Sequence, residues 1–159
     1  MFSTIGGPVA FGREFDSREG NVNGSVADGD PGTFRVTFDG TPQTEAFFGI
    51  AIEKPVRIRR VIYVSGNVFH DGGWFDTAGG KPRLQVKKTE DGPWMDVAVL
   101  EGYPDTTATD AKGVRHGVRF TVRFDPVEAV AIRILGKPAS GDNPAQAFAS
   151  CAELMAFEE

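Results

Sequence analysis

The chain has 159 residues, enough for one domain with a hydrophobic core and too few for two comfortable ones. Its formal net charge of −5 argues against a nucleic-acid partner, because binding a phosphate backbone requires a cluster of excess cations. The single cysteine, Cys151, excludes an intrachain disulfide framework and lies in an apolar run, which predicts a small core residue and not a nucleophile. No apolar run approaches the roughly 20 residues that span a bilayer, so no transmembrane segment is predicted.

The predicted elements are all strands. Apolar residues recur with period two, most clearly in VRFTVRF at 118–124, and no sustained helical periodicity is present. In chain order the predicted strands are 34–38, 46–52, 55–64, 84–87, 94–100, 118–124, 130–134 and 148–157. About eight strands, separated by Gly and Pro that act as turn residues, predict an antiparallel jelly-roll β-sandwich. We expect one domain over 1–159, with 1–25 an N-terminal extension that packs on the sandwich.

Short and long connections alternate between these strands. The predicted tight turns are 53–54, 89–93 and 125–126. The longer connections are 39–45, 65–80, 101–116 and 136–146. If each strand reverses the chain direction, alternate connections share one end of the sandwich. We therefore expect all four long loops at one end, where ordered loops on a rigid scaffold usually carry binding groups.

The most unusual loop is 67–80, which combines three aromatic residues, one His, two Asp and four Gly. Aromatic rings can cover the apolar face of a sugar while nearby polar groups bind its hydroxyls, so this loop is our candidate ligand platform. The candidate ligand-binding residues are Phe69, His70, Asp71, Trp74 and Phe75 here, with Tyr103, Arg115, His116 and Asn143 from the other long loops. Two alternatives stay open: the rings can fold back to cap the core, and His70 with Asp71 can be a loop staple.

A second cluster of oxygen-bearing residues lies at 26–33, VADGDPGT. Oxygen-rich, Gly-punctuated loops suit Ca²⁺, which takes six to eight oxygen ligands. The same residues also suit a plain turn, and the glutamate that the EF-hand pattern requires is missing.

Catalytic patterns are missing as well. The sequence contains no G-x-S-x-G elbow, no H-E-x-x-H and no phosphate-cradling loop. A two-carboxylate glycosidase built from Asp71, Asp76, Asp105 or Asp142 is the remaining catalytic alternative, because sequence does not give the separation of the carboxylates. We expect a protein that is not an enzyme.

Several short segments, in order and spacing, resemble the coagulation factor 5/8 type C (discoidin) superfamily and, within it, the bacterial carbohydrate-binding modules. The segments are ADGD at 27–30 with Thr33, PVRI at 55–58, KPRLQV at 81–86, GPW at 92–94, AIRI at 131–134 and SCAEL at 150–154. The resemblance covers the chain from about Val26 to its C-terminus. Phe34 stands where the family has Trp, and the GGWF segment at 72–75 is not part of the general pattern.

The resemblance implies a galactose-binding-like jelly roll and a structural Ca²⁺ ion. The implied ligands are the side chains of Asp28, Asp30, Thr33 and Glu153, and the backbone carbonyls near Val26 and Ala152. It further implies a non-catalytic module that binds a glycan through loops at one end of the sandwich and is appended to a larger extracellular or periplasmic protein. The alternative is a protein–protein or membrane-docking module, since membrane-binding members display apolar side chains on the same loops.

Overall fold

The structure, a computed structural model, describes residues 8–9, 11–18, 26–27, 30 and 32–158. These residues form eight antiparallel strands and no helix, which confirms the all-β prediction. The strands are β1 (Phe11–Asp16), β2 (Arg35–Val36), β3 (Ala46–Ser65), β4 (Phe75–Asp76), β5 (Arg83–Lys87), β6 (Met95–Val99), β7 (Arg119–Pro138) and β8 (Ser150–Glu158). Within the described ranges, no helix long and apolar enough to cross a membrane occurs.

Two long strands form the centre of the fold. β3 and β7 have 20 residues each and pair antiparallel from Ala46 opposite Gly136 to Val64 opposite Arg119. The register shifts between Ala51 and Val56 and again between Ile58 and Arg60. β1 and β5 flank the first part of this pair and β8 flanks the second part. Since strands change sheet at such bulges, the pair contributes to both layers of a sandwich.

The expected turns at 53–54 and 125–126 are therefore wrong. Both segments lie inside continuous strands, β3 and β7, and neither reverses the chain. The polar residues that interrupt the alternation there mark a bulged bend between layers, which a one-dimensional pattern does not distinguish from a turn. The two strands predicted at 46–52 and 55–64 are one strand, β3. Those predicted at 118–124 and 130–134 are likewise one strand, β7. β1 and β4 were not predicted.

The two layers enclose one hydrophobic core. One layer has the order β1-β3-β7-β5-β6 and the other has the order β2-β8-β3-β7. Inward side chains from both layers belong to a single buried cluster, which includes Phe48 and Ile132 from the first layer and Tyr63 and Leu154 from the second. Cys151 lies in the same cluster, and burial raises the pKa of its thiol well above the ordinary value, which agrees with a core role.

A buried ion pair attaches the N-terminal segment to the sandwich. β1 pairs with β3, and Arg35 of β2 donates to the carboxylates of Asp16 and, at 3.1 Å, Glu14 of β1. Burial works to lower the pKa of Arg35, but its hydrogen bonds and charge interactions with Asp16 and Glu14 outweigh burial and raise it. The guanidinium therefore stays charged and links β1 to β2.

Three of the candidate ligand-binding aromatics lie in the core. Trp74 is 3% exposed, Phe75 0% and Tyr103 1%. The Trp74 indole N–H donates to the Thr107 carbonyl at 2.9 Å, and the Tyr103 hydroxyl accepts from the Phe75 N–H at 2.9 Å. The expectation that these rings form a ligand platform is wrong, because all three are buried. Removing large apolar rings from water stabilises the fold, and the polar atoms of Trp74 and Tyr103 keep hydrogen-bond partners in the buried state. Core capping, the alternative left open above, is what the structure has.

We expect Trp74→Ala to lower the free energy of unfolding by about 3–5 kcal/mol, because it leaves a cavity in the core. Urea denaturation followed by circular dichroism measures the change. The exposed Val99→Ala substitution is the control and should change the free energy of unfolding by less than about 1 kcal/mol. A Trp74→Ala protein as stable as wild type would contradict the burial of this ring.

Candidate functional site

The four long loops meet at one end of the sandwich. The N–H of Gly141 donates to the Ala108 carbonyl at 2.8 Å, and the N–H of Ala147 donates to the Thr41 carbonyl at 3.1 Å. The remaining long loop joins them through the Asp142 N–H, which donates to the His70 carbonyl at 2.9 Å. The predicted convergence is confirmed, although it comes from the bending of the β3–β7 pair and not from a hairpin at every connection. We call this surface, formed by 39–45, 65–80, 101–116 and 136–146, the loop end.

An exposed His–Asp pair lies at the loop end. Two backbone hydrogen bonds between Phe69 and Gly72 close a tight turn that carries His70 at its tip. The His70 Nδ1 lies 2.8 Å from the Asp142 Oδ2, and the two side chains are 78% and 63% exposed. Gly141 has a φ of +60°, and a methyl group there would collide with the His70 carbonyl. Only glycine allows these two loops to approach so closely.

The Asp142 carboxylate raises the pKa of His70 above its ordinary value through its hydrogen bond and its charge, and Asp71 adds a smaller contribution. His70 therefore pairs with a residue of another loop, and its neighbour Asp71 is not its hydrogen-bond partner. The imidazole can take up or release a proton near neutral pH while it stays accessible to solvent.

Phe69, next to His70 in the chain, belongs to a cluster of aromatic rings. Phe69 packs against Phe148 and Phe34, with ring centroids 5.8 and 6.1 Å apart. His116 lies edge-on to Phe34 at 5.5 Å, so these two predicted residues, Phe69 and His116, share one ring cluster. Arg115, next to this cluster in sequence, is exposed.

The other predicted polar residues complete the loop end. Asn143 is exposed, and its side-chain oxygen accepts from the Ala145 N–H at 3.1 Å. Asp71 is half-buried, and its carbonyl accepts from the Gln146 side chain at 2.5 Å. The structure thus brings His70, Asp71 and Asn143 into one surface.

The exposed chemistry of the loop end is polar. A carboxylate, an imidazole and an amide offer hydrogen-bond acceptors and donors at solvent-accessible positions, the groups that recognise hydroxyls. Within the described part of the chain, Val99 of β6 is the one exposed large apolar side chain. The described loops therefore show no apolar spike of the kind that membrane docking uses.

The carboxylates considered for a glycosidase differ in their surroundings. Asp76 is buried, accepts from the Ala78 N–H at 2.9 Å and lies 3.7 Å from the Lys137 ammonium. Asp105 is exposed and lies 3.7 Å from the Lys81 ammonium. Asp76 is thus occupied in holding β4 against β7.

Asp28, one of the candidate calcium ligands, lies outside the described residues. The Val26 carbonyl accepts from the Leu154 N–H at 2.7 Å, which places Val26 against β8. Next to Leu154, Glu153 is only 3% exposed, and the register between β3 and β8 shifts around Ala152. A buried carboxylate beside a bulged strand fits a cation with oxygen ligands.

The remaining candidates close a turn. The N–H and the hydroxyl of Thr33 both donate to the Asp30 carbonyl, at 3.3 and 3.1 Å, and the Asp30 carboxylate accepts from the Gly32 N–H at 2.8 Å. The described residues contain no group of three or more His, Cys, Asp or Glu side chains able to hold a metal ion.

The pairing of His70 with Asp142 and the hydrogen bond from Gln146 to Asp71 were not predicted from the sequence. No local signal joins residues 72 positions apart, although Gly141 beside Asp142 hinted at a close approach. A cluster on the outer sheet face, where Phe47, Trp94 and Arg133 meet, was not predicted either. The outward positions of Phe47 and Arg133 in their alternating strands were a usable signal.

We expect His70 to titrate above the ordinary value of 6.5. Since its pKa is raised in the folded state, the pair stabilises the fold below pH 6.5, and this contribution is lost as the pH rises through the raised value. NMR titration of the imidazole Cε1 proton measures the midpoint, which should fall toward 6.5 in Asp142→Asn. A wild-type midpoint at or below 6.5 would contradict the pairing.

No family model matches the chain, and no curated protein matches it. Solved structures do resemble it. The module CpGH89CBM32-5 from Clostridium perfringens, in complex with GalNAc-β-1,3-galactose, is 17% identical, with a TM-score of 0.61 over 91% of this chain and 94% of that one. The family 32 carbohydrate-binding module of C. perfringens NanJ, in complex with galactose, is 20% identical, with a TM-score of 0.60 over 92% of this chain and 93% of that one.

A third resemblance is to a multidomain chain. The C. perfringens ZmpB structure with CBM32-1, CBM32-2 and M60 catalytic domains is 16% identical, with a TM-score of 0.60 over 94% of this chain and 14% of that one. Together these similarities show that the chain has the β-sandwich fold of carbohydrate-binding modules.

Proposed function

We propose that the chain is a non-catalytic carbohydrate-binding module and that its glycan site is the loop end. The observation that carries the proposal is the exposed His70–Asp142 pair, held by a side-chain and a backbone hydrogen bond between two loops. A ligand site needs groups that are both accessible and fixed in position, since disordered side chains lose entropy on binding. These two residues meet both conditions.

The chemistry of the surface favours a hydroxyl-rich ligand. The Asp142 carboxylate accepts hydrogen bonds from sugar hydroxyls, and the exposed His70 imidazole and Asn143 amide supply further groups. The half-buried Phe69 ring, next to His70 in the chain, would offer a limited apolar edge to the C–H face of a pyranose. Because the large rings Trp74 and Phe75 are buried, recognition at this end rests on hydrogen bonds more than on stacking.

The fold supports the same proposal. Neighbours that share the sandwich over almost the whole chain were solved with GalNAc-β-1,3-galactose and with galactose. One neighbour occurs beside a catalytic domain in the same chain. We infer that this module likewise belongs to a larger protein that acts outside the cytoplasm, where polysaccharide ligands occur.

We also propose a structural Ca²⁺ ion between the 26–33 segment and β8. Its support is the buried Glu153 carboxylate, the bulge at Ala152 and the Val26 backbone beside them. The ion would hold the N-terminal segment against the final strand and would play no part in glycan binding. Asp28 and Asp30 would supply the remaining carboxylates.

A glycan array with the wild-type protein, followed by calorimetric titration of the best ligand, tests the glycan proposal. We expect Asp142→Asn and His70→Ala each to weaken binding roughly tenfold or more, because each removes a fixed hydrogen-bonding group. Asp125→Asn is the matched control: Asp125 is exposed in β7, away from the loop end, and binding should be unchanged. The absence of any glycan ligand, or unchanged affinity in both variants, would overturn the proposal.

Thermal melts with excess CaCl₂ and with excess EDTA test the metal proposal. Calcium that binds only the folded state should raise the melting temperature by roughly 5 °C or more at saturation. Glu153→Gln should abolish this shift, while Glu158→Gln, exposed on the same strand, should retain it. Equal melting temperatures, together with no calcium by elemental analysis, would remove the site.

A further inference from the structure

A groove lies on the outer face of the β1-β3-β7-β5-β6 layer, away from the loop end. Its volume is about 550 Å³. In each strand of this layer alternate residues face the core, and the residues between them face outward. The outward side chains that line the groove include Arg13, Phe15, Phe47, Lys87, Trp94 and Arg133.

Three aromatic rings form one wall of the groove. The Phe15 ring lies over Gly49, where a methyl group would collide with the ring and would come within 2.7 Å of the Ile132 carbonyl. Phe15 contacts Phe47 and Trp94, with ring centroids 6.2 and 6.1 Å apart. Gly49 therefore leaves room for the Phe15 ring against the sheet, and Phe47 meets that ring edge-on.

The Arg133 guanidinium is fixed within this wall. Its central carbon lies 4.6 Å from the centre of the Phe47 ring and 4.4 Å from that of the Trp94 ring. Its Nε donates to the Gln85 side-chain oxygen at 2.8 Å. Two ring contacts and one hydrogen bond orient the planar group, which leaves its terminal N–H donors for a ligand.

The Arg133 charge has no carboxylate within ion-pair distance among the described residues. Burial lowers the pKa of Arg133, the Arg83 charge lowers it further, and Glu45 raises it. Arg13, Lys54 and Lys87 add positive charge to the groove, whose accessible acids are Glu53 and Glu90.

The third lining acid is already paired. Asp16 is buried and bound to Arg35. The accessible surface of the groove thus combines excess positive charge with aromatic rings.

We propose that this groove is a second glycan site, which binds a carboxylate-bearing saccharide such as a uronic acid oligomer. A bidentate contact from Arg133 would hold the sugar carboxylate, and the half-buried Trp94 ring would cover an apolar pyranose face. An acidic peptide could supply the carboxylate but not the rigid C–H face, so the rings favour the sugar. The site rests on the proposed glycan-binding function and lies apart from the loop end.

The two tryptophans of the chain allow a direct test with wild-type protein. Trp94 lines the groove, whereas Trp74 is buried in the core and serves as an internal control. We expect a galacturonate oligomer to shift the Trp94 indole N–H signal in a ¹⁵N–¹H NMR spectrum and to leave the Trp74 signal in place. A neutral galactose oligomer of the same length should not shift the Trp94 signal, and Trp94→Phe assigns the two signals.

Calorimetry with the galacturonate oligomer then compares three variants. Arg133→Gln should weaken binding at least tenfold, Arg133→Lys should restore part of the affinity, and Asp142→Asn at the loop end should have no effect. Arg13→Gln, a substitution of an exposed residue, should also weaken binding. It replaces Arg133→Gln as the test variant if that protein does not fold.

Each other outcome overturns the second site. Binding of the acidic oligomer that depends on Asp142 and not on Arg133 would assign it to the loop end and leave the proposed function standing. Equal binding of the neutral oligomer at Trp94, or a preference for poly-glutamate, would exclude uronate recognition. No binding of any glycan would overturn the proposed function as well.

Discussion

Two 20-residue strands, β3 and β7, hydrogen-bond to each other along most of their length, and every other described strand attaches to this pair directly or through one neighbour. A flat ribbon of that length would extend far beyond a single core. The bulges near Val56 and Arg60 let it bend, so that its two halves face each other across the core. Bending brings both ends of the ribbon to the same end of the molecule. The four long loops meet there for that reason, and the layer face beside the bend is left free.

The burial of aromatic side chains then decides which surface is available for binding. Trp74, Phe75 and Tyr103 belong to the segments 65–80 and 101–116, and their side chains lie in the core. The indole N–H and the phenol oxygen have hydrogen-bond partners there. Burying these rings stabilises the fold and anchors their loop segments to the core. The polar side chains of His70 and Asp142 stay exposed, and two hydrogen bonds between these residues hold their loops together. In the proposed glycan site, Trp74 and Phe75 would therefore act by positioning the loop and not by contacting the ligand.

Period-two alternation distributes chemistry between the inside and the outside of the same strands. In β3, Phe48 faces the core and Phe47 faces outward; in β7, Ile132 faces the core and Arg133 faces outward. The outer face therefore has a guanidinium packed on aromatic rings, whereas the exposed pair at the loop end is an imidazole and a carboxylate. If both proposed sites bind glycans, the sandwich would contact two parts of one extended polymer or two different ligands. The Arg35 ion pair with Glu14 and Asp16 supports this face, since it holds β1, and with it Phe15, against the sheet.

The sequence by itself determined the class of fold, because alternation with period two and the scarcity of helical periodicity depend only on neighbouring residues. It also determined which loops are long, and the core role of Cys151. The tertiary structure alone decided that the residues around 53–54 and 125–126 are bends and not reversals, because a bulge is a property of the pairing between β3 and β7. It alone decided that Trp74 is buried while His70 is exposed, and that His70 meets Asp142. Whether a side chain is buried, and which residue it bonds to, depends on which distant segments pack together. The free energy of that packing is shared among residues far apart in the chain.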